Sequence, residues 1–143
     1  MSAGGWWDAR LWDLPETEAW TLLETETVGR LAFHGDQGLM VVPMNFAVVE
    51  RSIWVRTSPY AALARAPEAS EVAFEVDRID EEHRAGWSVL VRGLCRHAST
   101  LRAHPSASPE VDSWPEGRRS LHLTIEPIAV TAKRLGVGNP GSR

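Results

Sequence analysis

The chain has 143 residues, of which 43% are hydrophobic and 24% charged, a length and composition that suit one globular domain. Its net charge of −4 and scattered arginines argue against a nucleic-acid-binding protein, which needs clustered positive charge. No apolar run approaches the roughly 20 residues of a membrane span, and the single cysteine cannot form an intramolecular disulfide. The sequence therefore predicts a cytoplasmic protein that binds neither membrane nor nucleic acid.

The sequence predicts a flexible leader and one helix in the N-terminal part of the chain, and strands in the rest. Residues 1–13 form the leader, and the helix is expected over Leu14–Thr27, with Asp13 as its cap and Pro15 in its first turn. Short apolar runs separated by turn residues then indicate a mainly β fold. The predicted strands are Val28–His34, Leu39–Val49, Ser52–Thr57, Glu71–Arg78, Trp87–His97 and Ser120–Lys133, the last interrupted at Pro127.

The connections between the strands carry turn signals. His34–Gly38 contains two glycines for positive φ, and Glu50-Arg51 forms a tight two-residue reversal. A short helix is expected over Pro59–Ala66, after the strand that ends at Thr57. His104–Arg119 is expected to form a loop or a short helix.

The second predicted strand is apolar on both faces. One face carries Leu39, Val41, Ala47 and Val49, and the other carries Met40, Val42, Met44, Phe46 and Val48. One face can cover a core, and the other needs a second cover, which a partner subunit or a flat aromatic ligand would supply. Burial under the N-terminal helix explains the pattern equally well.

Familiar catalytic motifs are missing from the sequence. The five histidines have neither the spacing of a helical zinc pair nor neighbouring cysteines, so no metal site is predicted. The glycine-rich fingerprints of Rossmann and P-loop nucleotide sites are also missing. Ser58 and Ser88 have no visible His/Asp set, which does not favour a hydrolase. Catalytic residues therefore stay unassigned.

Two segments are candidates for ligand binding. Arg56 offers a fork of donors, Thr57 and Ser58 add hydroxyls, and a helix start would add free amides, a combination that suits phosphate. An exposed arginine beside a serine cap explains the same residues without a ligand. In the fifth strand, Ser88 and Arg92 lie opposite Trp87, and Arg92 needs a charged partner, either a ligand or a carboxylate of the fourth strand.

Five segments carry a family resemblance in their order and spacing. They are Val28–Phe33, Val41–Phe46, Val55–Thr57, Val72–Asp77 and Gly86–Gly93. Together they resemble the small flavin-binding members of the pyridoxamine 5'-phosphate oxidase-like family. The resemblance implies a six-stranded split β-barrel with Greek-key connections over residues 14–135, followed by a flexible tail at 136–143. It also implies a homodimer with FMN, or alternatively a deazaflavin, in a groove between the subunits.

The resemblance also implies cofactor contacts. It places Val42, Pro43, Met44 and Asn45 beside the flavin ring, Arg56, Thr57 and Ser58 at the phosphate, and Trp87, Ser88 and Arg92 along the groove. Relatives often continue with a Gly-Ser-Lys stretch, where this chain has Tyr60-Ala61-Ala62, so that a cation and a hydroxyl are missing. Arg65 is expected to supply the missing cation for the phosphate.

The implied function is a flavin-dependent oxidoreductase acting on a small molecule. Two other readings stay open, a non-catalytic flavin or deazaflavin binding module and a cofactor-free dimeric barrel. True pyridoxamine phosphate oxidases end with an Arg-Leu-Ala-Pro type motif, whereas this chain reads Arg134-Leu135-Gly136-Val137. Oxidation of the vitamin is therefore not expected.

Overall fold

The fold was analysed in a computed structural model, which describes residues 10–57, 62–98 and 121–136. Along the chain lie β1 (Arg10–Leu14), α1 (Glu16–Leu23), β2 (Val28–Gly35), β3 (Gly38–Val49), β4 (Ser52–Thr57), a 3₁₀ turn (Ala62–Arg65), β5 (Ser70–Asp80), β6 (Ala85–His97) and β7 (Leu121–Gly136). Within these ranges no helix is long and apolar enough to cross a membrane.

Strands β2 to β7 close into an antiparallel ring. Their order is β2-β3-β4-β7-β6-β5, and β5 pairs again with β2. Strand β5 does not pair with β4, the strand before it in the chain, but with β2, and this connection is the Greek-key arrangement. The predicted split β-barrel of six strands is therefore confirmed, and β1 adds a seventh strand along the C-terminal half of β7.

The core fills the inside of this ring. Alternate residues of the strands point inward, among them Ile53 and Val55 of β4 and Phe74 of β5, which are fully buried. Helix α1 packs against β6 and β7 and adds Trp20 and Leu23 to the same cluster.

The helix and the leader differ from their predicted bounds. Asp13 and Leu14 belong to β1, where the Asp13 carboxylate pairs with the ammonium group of Lys133. Proline disfavours helical geometry in the residue before it, so α1 begins at Glu16, with Pro15 as an extended N-cap that makes no side-chain bond. The predicted leader is thus too long by the four residues 10–13 of β1, and residues 1–9 lie outside the described ranges.

Two other predicted segments are only partly described. The helix predicted over Pro59–Ala66 is a 3₁₀ turn over Ala62–Arg65, while residues 58–61 lie outside the described ranges. The segment His104–Arg119 also lies outside them. Pro127 does not end β7. The pairing of β7 with β6 continues past it, with a register shift between Arg92 and Gly93.

The barrel is split between β3 and β4. These strands pair only over Phe46–Val49, whereas β2 accompanies β3 along Gly38–Asn45. We call Gly38–Asn45 the split edge. The Phe46 amide donates to the Thr27 carbonyl on the β2 side at 3.0 Å. Because amides alternate along a strand, the nitrogen of Pro43 faces the opposite, open side, where its missing N–H costs no ladder bond.

Candidate functional site

The predicted ring-binding and phosphate-binding residues meet where β3 and β4 part. Phe46 pairs with Val55, so Asn45 and Arg56 are the next residues on the two strands. Val42 to Asn45 form the end of the split edge, and Thr57 ends β4 one residue beyond Arg56. Ser58 lies outside the described residues. Two of the three predicted groups of site residues thus occupy one place in the fold.

Residues of the split edge alternate between core and outer surface. Val42 and Met44 pack against the barrel core and are half-buried. Pro43 is exposed on the outer face, and the Asn45 side-chain amide reaches the Thr27 carbonyl at 3.4 Å. A ligand at this place would meet the side chains of Pro43 and Asn45 and the main chain of the other two residues.

Arg56 is half-buried, and its side chain makes no ion pair or hydrogen bond with the residues that the structure describes. Its cross-strand neighbour in β7 is His122. Burial, and secondly the charge of Arg56, lower the pKa of His122. The imidazole also meets the Trp54 ring edge-on, with 6.3 Å between the ring centroids. The junction therefore carries a fixed cation beside a neutral imidazole, a combination that attracts anions.

The predicted residues of β6 lie in another part of the barrel. Trp87 is 8% exposed and belongs to the core, while Ser88 and Arg92 point outward. The prediction that Trp87 lines a groove with them is corrected by strand alternation. Arg92 pairs with Ala129 of β7, seven residues from His122 and hence about 20 Å along the strand. Within one protomer, Ser88 and Arg92 do not join the Arg56 site.

The carboxylates of the fourth predicted strand, which were the alternative partners for Arg92, pair with Arg30 instead. The Arg30 guanidinium lies 2.9 Å from the Glu75 carboxylate and 3.4 Å from that of Asp77. Burial, and secondly the hydrogen bond to Asp77, raise the pKa of Glu75 to about 7. Within the described residues Arg92 makes no ion pair, so its charge is open to a ligand or to another chain.

Arg65 is tied to a different end of β3. Its Nε lies 3.3 Å from the carboxylate of Asp36, which belongs to the turn between β2 and β3. Asn45 lies at the far end of β3 from this turn. The position of Arg65 therefore lends no support to its predicted role as a substitute phosphate ligand.

The outer face of β3 is apolar and partly open, as the sequence pattern indicates. Leu39 and Val41 are 75% and 67% exposed. Ala47 and Val49, on the same face, pack against Trp54. Since α1 lies on β6 and β7, burial beneath this helix does not account for the apolar face.

Two residues next to Arg56, His122 and Trp54, were not identified from the sequence. Neither His122 nor Trp54 was predicted to be a binding residue. Trp54 lies two residues before Arg56 on the same face of β4, whereas His122 borders Arg56 because β4 pairs with β7, more than 60 residues later in the chain. No local pattern signals that pairing. Among the described residues, no group of three histidine, cysteine or acidic side chains forms a possible metal site.

One family model matches most of the chain. The family model described as pyridoxamine 5'-phosphate oxidase matches residues 15–134. The chain belongs to this family. The uncharacterized protein Rv0080 of Mycobacterium tuberculosis is 30% identical over 128 residues, covering 86% of this chain and 84% of that protein. The family thus spans the whole barrel of this chain, including both sides of the split.

Solved structures of similar proteins have the same fold. An FAD-binding protein from Mycobacterium smegmatis has a TM-score of 0.68 at 28% identity, covering 87% of this chain and 98% of that one. An FAD-binding protein from Mesorhizobium loti has a TM-score of 0.67 at 21% identity, covering 90% of this chain and 98% of that one. The second comparison, at its lower identity, shows the fold alone.

Proposed function

We propose that this protein binds a flavin where β3 and β4 part, and uses it as an oxidoreductase on a small-molecule substrate. The observation that carries the proposal is Arg56, a half-buried cation without a carboxylate partner among the described residues, beside an open strand edge. Membership of the family and the likeness to the FAD-binding protein of Mycobacterium smegmatis support a flavin.

The residues at the split fit the parts of a flavin nucleotide. Arg56 and Thr57 offer a charged fork and a hydroxyl for an anionic phosphate. The flat ring needs an apolar surface and main-chain partners for its polar rim, and Pro43 with the open edge of β3 provides both. A bound flavin supplies two-electron transfer, and the chain's residues position it and exclude water. This division explains why no acid/base pair is needed in the sequence.

We further propose a homodimer that completes the groove. Val41, Ala32, Ala73 and Arg92 follow one another across β3, β2, β5 and β6 on one outer face. This row starts at an exposed apolar residue and ends at an arginine without a carboxylate. A second copy would cover the apolar part and could bring its own Ser88 and Arg92 to the flavin of the first. Light scattering is expected to give a mass near twice 15.8 kDa.

FMN is the form of cofactor that we propose, with FAD and a deazaflavin as the competing forms. The likeness to the FAD-binding protein of Mycobacterium smegmatis makes FAD the stronger competitor. The purified protein is expected to be yellow, and mass spectrometry of the chromophore released by denaturation distinguishes the three. Titration of the cofactor-free protein with each then gives its affinity. Failure to bind any of them would overturn the proposal.

Catalysis is tested separately from binding. The loaded protein is mixed anaerobically with reduced nicotinamide cofactors, and bleaching of the flavin band is followed. Bleaching, followed by recovery with an electron acceptor, is expected of an oxidoreductase. A flavin that stays oxidised with every donor would overturn the enzymatic part and leave a flavin-binding module.

A further inference from the structure

We propose that His122 is a second ligand for the flavin's phosphate and replaces the cation that this chain lacks at Tyr60-Ala61-Ala62. The inference rests on the proposed function, and it adds a residue from β7 to a site otherwise built from β3 and β4. It follows from the position of His122, from its lack of a hydrogen-bond partner among the described residues and from the charges around it.

The position of His122 follows from the ladder between β4 and β7. Arg56 and His122 are directly paired, as are Val55 and Leu123 one residue further. Val55 and Leu123 are buried in the core, so Arg56 and His122 share the outer face. The Cβ atoms of directly opposed residues lie about 4.5–5.5 Å apart. The guanidinium and the imidazole can therefore reach the same phosphate group.

The polar atoms around His122 lack acceptors. The side chains of Arg56 and His122 make no hydrogen bond to a described residue. The carboxylate nearest along β7, that of Glu126, is held by Arg96 of β6 at 2.5 Å. Two partly exposed side chains, Arg56 and His122, thus lie on one outer face without a described acceptor, which suits an anion that is supplied by a ligand.

The charge state of His122 makes the inference testable. Burial and the neighbouring Arg56 both lower its pKa, so the free imidazole is neutral near pH 7. A phosphate placed between the two groups favours the imidazolium, which raises the pKa of His122 upon binding. Binding therefore takes up a proton, and affinity rises as the pH falls from 8 to 6.5. The FMN phosphate, with a second pKa near 6, remains largely doubly charged in this range.

The experiment compares His122→Ala and His122→Asn with the wild-type protein. Affinities are measured at pH 6.5 and pH 8 for FMN, FAD and riboflavin, the last of which carries no phosphate. The variants are expected to bind the phosphate-bearing flavins roughly tenfold more weakly at pH 6.5, to bind riboflavin unchanged, and to lose the pH dependence. The matched control is His34→Ala, which removes an exposed histidine of β2 and should change none of these values.

The phosphorus NMR signal of bound FMN gives a second measurement. In the wild-type protein it should move with pH across the titration of His122, and in His122→Asn this movement should disappear. Equal weakening of FMN and riboflavin would overturn the inference in favour of a packing role. Unchanged FMN affinity in both variants would overturn it and leave the proposed function intact, whereas a wild-type protein that binds no flavin would overturn both.

Discussion

The two sides of the barrel differ in how completely their strands pair. On the closed side, β5 and β6 pair from Ser70 to Asp80, and β6 and β7 pair along nearly their full length. On the split side, β3 and β4 share only Phe46–Val49 before they part. The closed side satisfies its main chain internally and holds the fold. Among the described residues, the split side leaves the β3 edge without a partner strand and Arg56 without an ion pair, and the flavin site that we propose lies where pairing is weakest.

The largest expected effect is on the closed side, at Gly93. A Cβ atom there would lie 2.2 Å from the carbonyl oxygen of Glu126 on β7, and main chain on both strands would have to move. Gly93→Ala is expected to lower the free energy of unfolding by about 3 kcal/mol, measured by urea denaturation. Gly35→Ala is the matched control, because its Cβ would meet the flexible end of Met40. Equal losses in both variants would contradict this explanation.

The next effect is on the split side and changes binding without unfolding the protein. Arg56→Ala would remove the charge-assisted contact that we propose to the phosphate, and it is expected to weaken flavin affinity tenfold to a hundredfold, about 1.5–3 kcal/mol. The unfolding midpoint of the cofactor-free variant should be unchanged. Arg65→Ala is the control, since Arg65 pairs with Asp36. A fall in affinity with Arg65→Ala would restore its predicted compensating role.

A smaller gain in stability is expected at the turn between β3 and β4. Glu50 and Arg51 have φ values of 47° and 57°, which side chains other than glycine and asparagine adopt at a cost. The double substitution Glu50→Asn with Arg51→Gly should raise the free energy of unfolding by about 1 kcal/mol. Calorimetry of the cofactor-free protein measures it. Unaltered flavin affinity would show that this end of the ladder is independent of the site.

An effect of about the same size concerns the pH dependence of stability on the closed side. The pKa of Glu75 rises from its ordinary value of 4.5 to about 7 in the folded chain, so the folded state holds its proton more tightly. Stability from this group is full below pH 4.5 and is lost as the pH rises towards 7. Glu75→Gln should remove this loss, about 1 kcal/mol after allowance for solvent screening. Glu71→Gln, exposed on the same strand, should retain it.

The fold was predictable from the sequence to a large extent because alternation in a barrel is strict. The inward positions Phe74 and Val76 follow directly from it, and β4 has its predicted bounds. The start of α1 was predicted too early, since the effect of Pro15 on Leu14 outweighed the capping signal of Asp13. Strand β1 was not predicted, because its pairing with the distant end of β7 leaves no local pattern.

The candidate site was predictable only in part. Arg56 and the segment Val42–Asn45 were identified from the family resemblance, and the structure places them together. The surroundings of Arg56 were not predictable, because they depend on which strands become neighbours, and this decides that His122 lies beside it. The same reason explains why the role of Arg65 was not predictable. Arg65 is close to Arg56 in sequence, but in the fold it pairs with Asp36.

Pro43 also bears on how this protein avoids polymerising. An open strand edge is a template on which a strand of another molecule can add, and such addition propagates into fibres. A residue without an N–H in the middle of the split edge interrupts that template while it leaves room for a small planar molecule. Replacement by valine would complete the row of donors, and we expect Pro43→Val to form thioflavin-positive aggregates under conditions where the wild-type protein stays dispersed.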